Sequence, residues 1–160
     1  LVSNAGISKI GRLDTLDTDG WFAMIDVNLR GVLNGIAAVM PTFQRQGTGH
    51  FVTTVSTAGL QATPTMAVYG GVKNAVRTIL EGLRQESTDG VIRTTSVSPG
   101  YVRTELAEAI DDVRLREQIR QNMAEFAIAP EAVARTIAFA IEQPDDVEIG
   151  DIVVRPTRQG

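Results

Sequence analysis

Strand-like and helix-like patterns of apolar residues alternate along the whole of this 160-residue chain. The patterns predict strands at 1–3, 50–55, 92–98 and 149–154, and helices at 18–46, 68–87, 102–127 and 130–141. Such alternation is typical of βαβ units, in which a helix returns the chain to a neighbouring parallel strand. We therefore expect a single-domain α/β fold, with a mostly parallel, doubly wound sheet between two layers of helices.

Composition removes several classes of function. The chain has no Cys and a single histidine, His50, so a thiolate nucleophile, a zinc finger and a histidine metal cluster are excluded, and no metal is expected. The formal net charge is −4 and the Lys and Arg residues are scattered, which argues against nucleic acid as a partner. The longest aliphatic run, 36–40, is far shorter than a membrane span. We expect a cytoplasmic protein without a membrane partner.

A glycine-rich phosphate cradle is not found in this sequence. The one candidate, Gly47-Thr48-Gly49, follows a predicted helix and precedes a predicted strand. A dinucleotide-binding turn requires the reverse order, from strand to helix. We interpret these residues as the end of a helix followed by a turn.

The strongest chemical signal is Tyr69-Gly70-Gly71-Val72-Lys73 at the start of a predicted helix. Residues four apart share a helix face, so the Lys73 ammonium can approach the Tyr69 phenol. A cation about 4 Å away, at an effective dielectric constant of ~20, would stabilise the phenolate by roughly 4 kcal/mol, or ~3 pKa units. The pair is predicted to lower the pKa of Tyr69 towards ~7, where general acid–base catalysis works best. The alternative is an unrelated surface pair that falls four residues apart.

Two further polar residues stand at positions that suggest a site. Ser56 lies just past a predicted strand, where sites form in parallel sheets, although a serine in a turn is commonly structural. Asn28 lies in mid-helix, either as a satisfied core amide or as part of a polar relay. A hydrolase using Ser56 and His50 ranks last, because no Gly-x-Ser-x-Gly elbow surrounds Ser56, whose neighbours are Val55 and Thr57.

Taken together, these residues resemble the short-chain dehydrogenase/reductases, which are nicotinamide-dependent enzymes on a Rossmann-type sheet. The resemblance runs in order along the chain through Asn4-Ala5-Gly6, Asn28, Ser56, Tyr69 with Lys73, and Pro99-Gly100-Tyr101-Val102-Arg103-Thr104. It implies hydride transfer between a nicotinamide and an alcohol or carbonyl substrate. The alternative is an inactive fragment or a non-catalytic structural member of the same fold.

The resemblance also implies a role for each residue. Tyr69 would exchange the proton with the substrate oxygen, and Ser56 would orient that oxygen. Lys73 would lower the pKa of Tyr69 and hold the nicotinamide ribose, while Asn28 would hold a water of the proton relay. The implied cofactor contacts are Asn4, Ala5, Gly6, Tyr69, Lys73, Pro99, Gly100, Val102 and Thr104. The implied cofactor is NADP or NAD, with NADP favoured.

The family's first three strands and their glycine-rich turn have no counterpart in this sequence. We therefore expect one partial domain over 1–160, holding the family's strands four to seven, with an exposed strand edge. Residues 101–127 would form a flap over the substrate, or else an ordinary pair of amphipathic surface helices. The flap residues available to cover a ligand are Leu106, Ile110, Leu115 and Ile119.

The resemblance extends to substrate and assembly. A short hydroxy or oxo acid, or a 3-oxoacyl derivative, is the implied substrate class. A homodimer or homotetramer is the implied assembly.

Overall fold

Four parallel strands form a single sheet in the computed structural model, which describes residues 1–159. The strands are β1 (Val2–Ser3), β2 (Gly49–Thr54), β3 (Ile92–Pro99) and β4 (Asp151–Val154). They lie in the order β1-β2-β3-β4, and each neighbouring pair is parallel. The predicted α/β class and the parallel sheet are confirmed, with strand ends that differ from the prediction by no more than two residues.

Five α-helices connect and cover the strands of the described chain. They are α1 (Thr18–Met24), α2 (Gly31–Gln46), α3 (Ala67–Glu86), α4 (Val113–Phe126) and α5 (Pro130–Ile141). Short 3-10 turns lie at Leu13–Thr15, Thr57–Gly59 and Glu105–Ala109. Gly47 ends α2 in the left-handed conformation, with φ 72°, so the interpretation of Gly47-Thr48-Gly49 as a helix end is confirmed.

The prediction of one uninterrupted helix over 18–46 is wrong at its centre. Residues Ile25–Arg30 form a π-helical turn between α1 and α2. The wider turn presents Asn28 to the segment after β1, where both polar groups of its amide bond to the backbone of Ile7. The apolar pattern does not reveal such a turn, because the same residues would suit an α-helix.

The prediction of helix throughout 102–127 is also wrong in its first half. That half holds the 3-10 turn Glu105–Ala109 and a loop. Helix α4 begins only after Asp112, whose carboxylate accepts hydrogen bonds from the backbone N–H groups of Arg114 and Leu115. This cap satisfies two amides that have no partner within the helix, and so it fixes the start of α4.

Helices pack on both faces of the sheet, which makes three layers. On one face, Val32 of α2 and Leu80 of α3 pack against Phe51 of β2. On the other face, Val133 of α5 packs against Val52 of β2 and Val97 of β3. Phe51 and Val52 serve opposite faces because successive side chains of a strand alternate between them.

A third apolar cluster lies beyond the carboxyl ends of the strands. It joins Tyr69 of α3 to Met24 of α1, Ile10 of the segment after β1, Ile110 just after the 3-10 turn Glu105–Ala109, and Ile119 of α4. Through this cluster, the 3-10 turn Glu105–Ala109 and α4 cover the edge of the sheet at which β1, β2 and β3 end. These two elements are called the cap. Ligands of doubly wound sheets bind at this edge.

Some apolar surface is exposed beside β1. No strand pairs with the outer edge of β1 among residues 1–159, and the side chain of Val2 is 45% exposed. Leu33 on α2 is 43% exposed. By length and composition alone, the helical segment Thr18–Gln46 could cross a membrane, because an 18-residue window within it has a mean hydropathy of 1.3. The short aliphatic run 36–40 did not predict this result. The segment Thr18–Gln46 contacts the sheet through Val32 and Phe43.

Candidate active site

Tyr69 lies in the first turn of α3 and is almost enclosed by the cap. Its side chain is 8% exposed and belongs to the apolar cluster beyond the strand ends. Gly70 allows this close approach, because a Cβ at Gly70 would lie 2.5 Å from the carbonyl oxygen of Ala58. The glycine that weakens the helix in isolation therefore lets α3 pack tightly against the segment after β2.

Lys73 lies one turn further along α3 and is 5% exposed. Its Nζ donates a hydrogen bond of 2.9 Å to the backbone carbonyl of Thr54, the last residue of β2. The same Nζ lies 5.9 Å from the centre of the Tyr69 ring. Sheet and helix thus hold the ammonium beside the phenol, at the distance where a cation still interacts with an aromatic ring.

The predicted lowering of the Tyr69 pKa is wrong for this state of the protein. Burial raises the pKa of the Tyr69 phenol, and the nearby Ser56 side chain offsets only part of that rise. Burial also lowers the pKa of Lys73 to about 8. Both shifts arise because the cap removes water and so disfavours the charged forms, a cost that helix spacing does not reveal. At neutral pH, Tyr69 is therefore a protonated phenol.

Ser56 follows β2 and begins the 3-10 turn Thr57–Gly59. Its Oγ accepts a hydrogen bond of 3.1 Å from the backbone N–H of Ala58, which is the structural role that a turn serine commonly plays. The same hydroxyl lies close enough to the Tyr69 phenol to lower its pKa. The structure therefore brings Ser56, Tyr69 and Lys73 together at the end of β2, with Ser56 serving both the turn and the phenol.

Asn28 is buried, with 1% of its side chain exposed. Its Oδ1 accepts a hydrogen bond from the Ile7 backbone N–H, and its Nδ2 donates one to the Ile7 carbonyl, each at 2.9 Å. Of the two interpretations of the sequence, the satisfied core amide is thus observed. The contact with a relay water stays a prediction.

The loop after β1 is exposed and passes close to Lys73. A Cβ at Gly6 would lie 3.0 Å from Oδ1 of Asn28 and 3.5 Å from Nζ of Lys73. Asn4, Ala5 and Gly6 are exposed at this point, and Asn4 accepts a hydrogen bond from the Thr54 hydroxyl. This open edge beside a buried cation fits the ribose and nicotinamide of the implied cofactor, because a side chain at Gly6 would fill it.

The segment after β3 reaches the same edge of the sheet. Pro99, the last residue of β3, is buried, and the Gly100 backbone N–H donates a hydrogen bond to the Val154 carbonyl. Val102 forms a parallel bridge with Ile128, and the Thr104 hydroxyl caps the following 3-10 turn by accepting from the Leu106 N–H. The structure places these predicted cofactor contacts beside the cap, and their contacts with a cofactor stay a prediction.

The structure separates the two residues of the predicted hydrolase alternative. His50 and Ser56 are six residues apart in sequence, on and just beyond β2, which corresponds to roughly 20 Å of extended chain. The His50 Nε2 pairs instead with the Thr95 hydroxyl at 2.8 Å. Burial, and then the charges of Arg93 and the chain's N-terminus, lower the pKa of His50 to about 4. This alternative is wrong.

Sequence reasoning missed three backbone groups that build the site. The Thr54 carbonyl anchors Lys73, and the Ile7 peptide groups anchor Asn28. Backbone groups carry no residue signal, so only the fold identifies them. Sequence reasoning also missed that Trp21 and Met66 pack against the apolar cluster around Tyr69. These two residues lie far apart in sequence and come together only in the folded chain.

Comparison with known proteins relates this chain to one family of enzymes. Residues 1–115 match the sequence profile of the short chain dehydrogenases. An uncharacterized oxidoreductase of Listeria monocytogenes is 45% identical over 158 residues, covering 98% of this chain and 64% of that protein. One of Staphylococcus saprophyticus is 43% identical over 161 residues, covering 99% of this chain and 65% of that protein.

Solved structures match over nearly the whole chain. The closed form of serine dehydrogenase complexed with NADP+ superimposes with a TM-score of 0.92 and 29% identity, covering 100% of this chain and 65% of the other. A gluconate 5-dehydrogenase from Burkholderia cenocepacia, in complex with NADP and tartrate, superimposes with a TM-score of 0.80 and 30% identity, covering 97% of this chain and 62% of the other. This chain thus spans less than two thirds of the length of these proteins. By its profile match and its fold, the chain belongs to the short-chain dehydrogenase family.

Proposed function

We propose that this chain carries the proton-transfer half of a nicotinamide-dependent oxidoreductase that interconverts a carbonyl compound and its alcohol. The observation that carries the proposal is the joint placement of Ser56, Tyr69 and Lys73 at the carboxyl end of β2, under a cap. A phenol and an ammonium that are both buried are costly to the fold, so a structural role alone does not account for them.

The proposed reaction divides its tasks among the three residues. Tyr69 is protonated at neutral pH and donates its proton to the carbonyl oxygen as that oxygen gains charge. The Ser56 hydroxyl lies beside the Tyr69 phenol and helps to orient the same oxygen. Lys73 is fixed by the Thr54 carbonyl, and its positive charge favours the phenolate that remains after proton transfer. In the alcohol-oxidising direction, the same phenolate takes the proton back.

The cofactor in this proposal is NADP or NAD. When bound, it supplies or accepts the hydride. The open edge at Gly6 and the free N–H groups of the Lys73 ammonium would hold its ribose and nicotinamide. NADP is the first choice to test, because the serine dehydrogenase and the gluconate 5-dehydrogenase above were both solved with it.

The assembly and location are also proposals. Family resemblance supports a homodimer or homotetramer in the cytoplasm, acting on a small molecule. Sedimentation of the purified protein checks the assembly, because a monomer at micromolar concentration would contradict it. Fractionation of the source cells checks the location.

The test is a substitution at each of the chain's two tyrosines, made in the protein as its gene encodes it. Tyr69→Phe removes the proposed proton donor and keeps the ring. With a panel of aldehydes and ketones, we expect Tyr69→Phe to lower kcat on the order of a hundredfold or more. Binding of the reduced nicotinamide, followed by its fluorescence, should stay nearly unchanged.

Tyr101→Phe is the matched control, because the Tyr101 hydroxyl only accepts a hydrogen bond from Asn122. It should retain most of the parent's kcat. Equal turnover by the parent and Tyr69→Phe would refute the role of Tyr69.

A further inference from the structure

The walls around Tyr69 are apolar on several sides. Six of the side chains packed into its cluster come from the segment after β1, from α1, from the residue before α3 and from the cap: Ile10, Trp21, Met66, Ile110, Leu115 and Met123. Each of these side chains is aliphatic, aromatic or a thioether. A substrate whose carbonyl oxygen reaches Tyr69 on the side of this cluster therefore places its neighbouring atoms against hydrocarbon.

A cavity of about 260 Å³ lies beside this cluster and shares the lining residues Ile10, Trp21 and Leu115 with it. Its volume is slightly below the range of about 300–1,000 Å³ that is usual for small-molecule sites. The space therefore suits a small substrate.

The rim of this cavity carries more negative than positive charge. Its charged lining residues are Lys9, Arg12, Asp17, Asp111 and Asp112. Lys9 is already paired with Asp111 at 2.9 Å, and Arg12 is paired with Asp14. Within residues 1–159, both cations that line this cavity are thus paired with carboxylates, and two further lining carboxylates, Asp17 and Asp112, have no cationic partner.

We propose, on the basis of the function proposed above, that the substrate carries an uncharged, apolar group next to its carbonyl or carbinol carbon. A carboxylate in this compartment would lose its hydration and would gain a cation only by displacing Asp111 from Lys9 or Asp14 from Arg12, which is unfavourable. An apolar group loses nothing by leaving water and fills the space between Trp21 and Leu115. The substrate class is a small, neutral ketone, aldehyde or secondary alcohol.

This inference departs from the oxo acids and hydroxy acids that the resemblance implied. It also separates the chain from the serine dehydrogenase and the gluconate 5-dehydrogenase, since serine and gluconate both carry a carboxylate. Similarity of fold does not carry substrate choice, because the cap and the rim supply the groups that touch the substrate.

The test compares two substrates that differ at one end. One is methyl pentyl ketone, and the other is the oxo acid of equal chain length, in which a carboxylate replaces the terminal methyl group. For the protein as its gene encodes it, we expect kcat/KM to favour the ketone on the order of a hundredfold. Trp21 is the chain's single tryptophan, so ketone binding should also change its fluorescence when the oxo acid at equal concentration does not.

Two variants at Leu115 sharpen the comparison. Leu115→Arg places a cation in the wall and should shift the kcat/KM ratio towards the oxo acid by about tenfold or more. Leu115→Gln is the matched control, because it adds a polar group of similar length without charge and should leave the oxo acid disfavoured. If Leu115→Arg does not fold, the substrate ratio of the parent protein still decides the question.

The outcomes separate the two proposals. Equal or better use of the oxo acid by the parent overturns the apolar-substrate inference and leaves the proposed function intact. Use of neither compound, by a protein that reduces other carbonyl compounds through Tyr69, also overturns the inference. A different result would refute the proposed function, namely equal turnover by the parent and Tyr69→Phe.

Discussion

Gly70 and Gly71 are adjacent glycines of α3 whose replacement by alanine should have opposite effects on stability. A Cβ at Gly70 would lie 2.5 Å from the carbonyl oxygen of Ala58, whereas a Cβ at Gly71 would meet no atom within 4 Å. Both substitutions gain the same helix propensity, about 1 kcal/mol relative to glycine. Only Gly70→Ala forces a backbone carbonyl to move.

The size of the difference follows from that contact. Overpacking a well-packed site costs about 1–3 kcal/mol. We therefore expect Gly71→Ala to raise the free energy of unfolding by about 0.5–1 kcal/mol and Gly70→Ala to lower it by up to about 2 kcal/mol. Each kcal/mol should move Tm by about 2–4 °C for a chain of this size.

The same pair reports on the site. Ala58 donates its N–H to the Ser56 hydroxyl, so a shift of Ala58 displaces Ser56. Gly70→Ala should therefore lower kcat as well as Tm, and Gly71→Ala should leave kcat unchanged. Thermal unfolding and carbonyl reduction are measured on the parent and both variants. Equal Tm shifts for the two variants, or a Gly70→Ala protein more stable than Gly71→Ala, would refute the reasoning.

Two further predictions concern buried polar groups. Burial lowers the pKa of Lys73 from 10.5 to about 8, so the unfolded chain binds more protons between these values and the free energy of unfolding should rise by about 2 kcal/mol from pH 8 to pH 10. Urea denaturation across this range should show the rise in the parent, and its persistence in Lys73→Met would contradict the assignment. Asn28→Leu should lower the free energy of unfolding by about 2–4 kcal/mol, because it leaves the Ile7 N–H and carbonyl without partners. Urea denaturation measures this loss too, and a change below about 1 kcal/mol would mean that water replaces the amide.

Local signals in the sequence were enough to predict the parallel sheet and most helix ends. Gly47 marks the end of α2 through its left-handed backbone, and Pro130 begins α5, where its missing N–H costs nothing. Asp17 begins α1 by accepting the N–H of Gly20. These features depend on a few neighbouring residues, and so a pattern reveals them.

The rest depends on contacts between distant residues. The π-helical turn exists beside Ile7, and Gly70 is required because Ala58 lies above it. The direction of the Tyr69 pKa shift reversed for the same reason, because the cap that buries the phenol comes from residues far along the chain. Spacing places Tyr69 and Lys73 on one helix face, but it carries no information on how much water reaches them.

The central claim is that Tyr69 completes a hydride transfer by protonating the substrate oxygen. The most direct measurement follows deuterium from a reduced nicotinamide, labelled at its transferable position, into the product alcohol by mass spectrometry. For the protein as its gene encodes it, we predict one deuterium on the carbinol carbon, and less labelled alcohol from Tyr69→Phe in the same time, by a factor on the order of a hundred or more. Labelled product formed equally fast by Tyr69→Phe, or product hydrogen that comes from solvent at that carbon, would contradict the account.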